Sequence, residues 1–106
     1  MTTPGRRVHF RRIADASLDH AAAIVRRWLP DGRGEGAEWV AINPTRADHK
    51  KGSFKVNMRT GAWADFAINH RGGDLVSLAA YLFRISQREA TVRIAEMIGV
   101  DPYERR

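Results

Sequence analysis

Trp63 and the cations around it are the residues best suited to chemistry in this chain. Trp63 lies in Gly61-Ala-Trp-Ala-Asp-Phe66, shortly after Lys55 and Arg59. If strand alternation carries the indole to the face of those cations, the three make a platform for an unpaired base. The indole would stack on the base and the cations would neutralise phosphates. Arg46, Lys50, Lys51 and Arg71 fall in polar stretches nearby, expected as loops at one end of a sheet. Such a cluster grips a phosphate backbone without reading sequence. The competing assignment puts Trp63 in the core and leaves the cations on an ordinary solvated surface.

Other combinations offer less. Gly72-Gly73-Asp74 opens a helix whose first N–H groups could hold a phosphate, but the Asp74 carboxylate competes for them. His49, His70, Asp48 and Asp65 are the residues from which a His/Asp metal site would be built, and the expectation is that no metal is bound. There is no cysteine, which removes disulfides, thiol catalysis and thiolate-held zinc together. No Ser–His–Asp spacing, phosphate-cradling loop or paired-carboxylate motif is present, and a nuclease would need a carboxylate cluster. The chain is therefore expected to be non-enzymatic and without a cofactor.

With 106 residues there is room for one small domain, and 43% hydrophobic against 28% charged residues is a globular balance. No apolar run approaches membrane-spanning length and the first residues lack a secretion signal, so a cytoplasmic protein is expected. Eighteen cations against twelve anions give +6, and fifteen of the eighteen are Arg. Arg pairs bidentately with phosphate and stacks on bases, which favours a nucleic-acid partner over an acidic protein.

These side chains must be positioned by an α+β domain. Residues 1–14 read as a basic arm. Asp15 or Ser17 caps a helix over 15–29, with Leu18, Ala21, Ala22, Val25, Trp28 and Leu29 on one face. Pro30 and the glycine-rich run after it read as a flexible linker over 30–37. Three antiparallel strands fill 38–66, within Glu38–Ile42, Ser53–Met58 and Ala62–Phe66. Two helices follow within 74–98, capped by Asp74 and by the box Ser86-Gln-Arg-Glu89, the first turning Leu75, Leu78, Ala79, Leu82 and Phe83 inward. Residues 101–106 form a tail.

The hairpin register carries the site. A three-residue loop, Arg59-Thr60-Gly61 with Gly61 left-handed, pairs Met58 with Ala62, Val56 with Ala64 and Phe54 with Phe66. All six are apolar and would face the core, with Phe54, Val56, Phe66, Leu78 and Leu82 buried together. Lys55 then pairs with Asp65 and Asn57 with Trp63 on the outer face. A two-residue loop would shift the pairing by one and put the Asp65 carboxylate on the side of Phe54 and Val56, a cost that argues for the three-residue loop.

The order Asn43-Pro-Thr-Arg-Ala-Asp48, Gly52-Ser-Phe-Lys-Val-Asn57, Gly61-Ala-Trp-Ala-Asp-Phe66 and Gly73-Asp-Leu-Val-Ser-Leu78 resembles the N-terminal zinc-ribbon domain of bacterial-type DNA primases. The nearer likeness is to the relatives that precede toprim primase and primase–helicase modules of phages and plasmids. In that family three Cys and one His hold zinc in two knuckles flanking the hairpin. Here the knuckles offer Asn43 and Arg46, then Asp65 and Asn69, so the resemblance implies a ribbon in which packing replaces the metal, with Lys55–Asp65, Trp39 and Phe66 contributing. It also implies a non-catalytic module that binds single-stranded or template DNA in phage or plasmid replication, beside a toprim or helicase module. The alternative is a small mobile-element protein that binds and inhibits a host nucleic-acid machine, such as a defence complex.

Overall fold

The structure, a computed structural model, describes residues 6–45 and 52–104. It is an α+β fold in which a five-stranded antiparallel meander packs on helices. Helix α1 spans Phe10–Ser17, a 3-10 turn covers Leu18–His20, and α2 runs Ala21–Trp28. The strands are β1 (Arg33–Glu35), β2 (Glu38–Ala41), β3 (Phe54–Asn57), β4 (Trp63–Asp65) and β5 (His70–Gly72). Helices α3 (Leu75–Phe83) and α4 (Gln87–Ile98) complete it.

The α+β class is as expected, but the sheet gains a strand at each edge. Residues 30–37 are not a loose linker. Gly36 and Ala37 form a two-residue hairpin loop that pairs Glu35 with Glu38 and Arg33 with Val40. Beyond Asp65, a turn through 66–69 returns the chain as β5. The N-terminal arm is also shorter than expected. Helix α1 starts at Phe10 because His9 Nδ1 accepts from Arg12 N at 3.2 Å, capping it, and because Ile13 and Ala14 are buried. Ser17 does not cap a helix; its hydroxyl donates to Ala14 O at 2.6 Å, inside the helical segment. Nor is the C-terminal end a free tail through residue 104. Val8 bridges to Tyr103, with His9 N donating to Pro102 O and Glu104 N to Arg7 O, both at 2.8 Å. The Arg6 guanidinium lies 4.2 Å over the Tyr103 ring.

The β3–β4 register is offset by one residue from the expected one. Val56 pairs with Trp63, Lys55 with Ala64 and Phe54 with Asp65. The loop is Met58-Arg59-Thr60-Gly61, not the last three alone. Asn57 Oδ1 accepts from Arg59 N and Thr60 N at 2.9 and 3.1 Å, and Gly61 N donates to Asn57 O. This side-chain turn stabilises the longer loop. Gly61 does take positive φ, at 80°.

The core lies between the sheet and α1–α4. Phe54, Val56 and Leu78 are buried as expected and Leu82 is half-buried, but Phe66 is 70% exposed and Phe83 is 46% exposed. Trp39 is buried and its Nε1 donates to Leu29 O at 2.9 Å, tying β2 to the end of α2. Asp74 caps α3, its Oδ1 accepting from Ser77 N at 2.8 Å, and Ser86 Oγ caps α4 by accepting from Glu89 N at 3.0 Å. Among the described residues no helix is long and apolar enough to cross a membrane.

Candidate nucleic-acid interface

A one-residue slip in a strand reverses the face of every side chain. Here it exchanges two aromatics. Trp63 is 6% exposed, faces the helices, and donates from Nε1 to Ser77 Oγ at 3.0 Å. Its ring lies 4.6 Å from Tyr81 and packs edge-on to Phe54. Gly72, opposite Trp63, is required there: a Cβ would sit 2.5 Å from Trp63 Nε1 and 2.4 Å from Ser77 Oγ. Trp63 is therefore a core residue, not the exposed platform expected of it.

Phe66 takes the outer face instead. Its N–H donates to Ser53 O at 2.9 Å, extending the β3–β4 ladder by one rung. Alternation then puts Phe66 on the side of Ala64. The same side carries the cross-strand row Arg33, Val40, Lys55, Ala64 and Arg71; it is covered at Val40, which is 1% exposed, and open towards Arg71. Lys55 and Arg71 flank Ala64 on neighbouring strands, about 10 Å from each other, and Phe66 is the first residue of the turn that follows β4. Arg71 is exposed and Lys55 half-buried. Arg33 is exposed and salt-bridged to Glu35 at 2.8 Å.

The other expected site residues divide differently. Arg59 is exposed in the β3–β4 loop, at the end of the sheet opposite the 66–69 turn, so it does not join a loop cluster with Arg71. Arg71 lies in β5 rather than in a loop. Arg46, Lys50 and Lys51, with Asp48 and His49, lie outside the described residues. Lys55 and Asp65 do not pair, because they occupy opposite faces.

Asp65 is wholly buried beside Phe54. The cost of a carboxylate there is met by donors. Asn43 Nδ2 reaches Asp65 Oδ2 at 2.9 Å, and Ala67 N reaches Oδ1 at 3.0 Å. Asn43 Nδ2 also donates to the Tyr81 hydroxyl at 2.8 Å, while Asn43 Oδ1 accepts from Thr45 N and Oγ1. His70 Nδ1 lies 2.9 Å from the same hydroxyl. Among the described residues no buried side-chain N or O is left without a partner. Sequence reasoning singled out Asn43, Asp65 and His70 but missed Tyr81 and Thr45. The available signal was Tyr81 itself, one turn after Leu78 and Ser77 on an inward helix, where a phenol needs a polar partner.

Among the described residues no group of three or more His, Asp or Glu is placed to hold a metal ion. Comparison with known protein families finds no match, and neither does comparison with curated proteins.

Proposed function

We propose that the chain is a nucleic-acid-binding module that holds single-stranded DNA on the outer face of its sheet and has no catalytic role of its own. One observation carries the reading: Phe66, 70% exposed, follows β4 directly, and Lys55 and Arg71 pair across Ala64, two residues before it. An exposed aromatic offers a free π-face, on which a base of any identity can stack. The flanking cations attract the backbone, and the net charge of +6 steers polyanions to the surface. The resemblance to primase zinc ribbons supports the same chemistry and suggests phage or plasmid replication as its setting.

The test is anisotropy titration of a labelled oligo-dT and of a duplex of equal length at two salt concentrations. The single strand should bind more tightly, and its affinity should fall with salt. Failure of both to bind at low salt overturns the proposal.

A further inference from the structure

A second surface of the molecule is built from helices and the turn joining α3 to α4. Trp28, Phe83 and Met97 bound a depression of about 370 Å³ between α2, α3 and α4, rimmed by Arg27 and Arg93. Trp28 and Phe83 meet edge to face at 5.6 Å, yet Phe83 stays 46% exposed and Met97 42% exposed. A second depression, of about 460 Å³, lies alongside it between His20, Ile24 and Ile98 and shares Arg27 and Met97 with the first. The two form one apolar groove with a ridge at Arg27 and Met97. Along α2 it runs from His20 to Arg27, about 10 Å at the helical rise.

The charge around this groove has one sign. The charged side chains that line it, Arg27 and Arg93, are both cationic, with Glu89 against Arg93. Arg93 is held by Glu89, whereas among the described residues Arg27 has no ion-pair partner. A depression on each side of a cationic ridge, over two helical turns, matches apolar anchors spaced i, i+3 or i+4, and i+7 with acidic residues beside them.

We propose that this groove docks an amphipathic helix of a protein partner, with apolar side chains in the two depressions and a carboxylate on Arg27. None of these residues belongs to the outer sheet face. The molecule could therefore hold nucleic acid and a protein at once.

The probe is a pair of synthetic helical peptides with identical leucine anchors, one flanked by glutamates and one by lysines, titrated into the isotope-labelled full chain. The glutamate peptide should shift the amides of Ile24, Trp28, Phe83 and Met97 to saturation, and the lysine peptide should bind roughly ten-fold more weakly or worse. Arg27→Glu should weaken the glutamate peptide by a similar factor, and Met97→Asp should abolish its binding. Both positions are exposed, so neither variant should unfold. Equal affinity for the two peptides, or no groove shifts at about 1 mM, overturns the proposal. So does oligo-dT shifting the same amides, or self-association that Met97→Asp abolishes, which would give the groove to nucleic acid or to a second copy.

Discussion

Asn43 Nδ2 donates to Asp65 Oδ2 across 2.9 Å, joining two buried side chains that lie 22 positions apart in the chain. Asn43 follows β2 and Asp65 ends β4, so the bond ties the two strands that flank β3. Removing the donor leaves a buried charge short of one partner and the Tyr81 hydroxyl short of another. Asn43→Ala should therefore cost about 2–3 kcal/mol by urea denaturation. Asn43→Asp should cost more, because it sets two carboxylates against each other in the core. A variant of either kind with wild-type stability would show that the bond contributes nothing.

The hairpin register makes opposite predictions for two aromatics three positions apart, Trp63 and Phe66. Trp63→Ala should cost about 3–5 kcal/mol, since it empties the space between Phe54 and Tyr81. Phe66→Ala should leave the melting transition within about 0.5 kcal/mol of wild type, because the ring is solvent-facing. The reverse pattern would restore the register with Phe66 in the core.

That register also marks the limit of what sequence reasoning could reach. Helices α3 and α4 were legible from apolar spacing and from Asp74 and Ser86, whose caps form as their residue types dictate, whereas the expected helix over 15–29 is divided by the 3-10 turn Leu18–His20. The positions of β2, β3 and β4 were legible from apolar residues bounded by turns. The pairing of β3 with β4 was not, because both registers bury Phe54 and Val56 and differ only in what faces them. The rule against a buried carboxylate chose wrongly here. One of the donors to Asp65 is Asn43, 22 residues earlier, and a partner at that separation is invisible to local patterning. The edge strands β1 and β5 were missed because Arg33-Gly-Glu35 and His70-Arg-Gly72 contain no apolar residue. Only pairing with β2 and β4 makes them strands. Helix α1 was hidden by its arginines, since only Ile13, Ala14 and Ser17 face inward.

Metal should be dispensable. The two turns are joined by Asn43, Asp65, Tyr81 and Thr45 through hydrogen bonds, and these need no ion. Purified protein should contain no stoichiometric zinc by elemental analysis. Addition of a chelator should leave the melting temperature unchanged, unlike a zinc ribbon, whose fold energy comes from its metal. One zinc per chain, lost together with the fold on chelation, would refute this.

The proposed DNA surface separates stacking from charge. Phe66 supplies only a π-face, so Phe66→Ala should weaken oligo-dT binding by about 1–3 kcal/mol and leave the dependence of affinity on salt almost unchanged. Arg71 lies across Ala64 from Lys55 and supplies charge, so Arg71→Ala should weaken binding less at high salt and lower the salt slope by about one unit if the guanidinium displaces a counterion. Lys55→Ala should behave like Arg71→Ala. Because Phe66 is far from the Arg27–Met97 groove in element and face, Arg27→Glu should alter oligo-dT affinity only through the general loss of positive charge. If Phe66→Ala binds the single strand as the wild type does while Lys55→Ala and Arg71→Ala still reduce the slope, the sheet holds DNA by charge alone. The aromatic would then have no part in the interface.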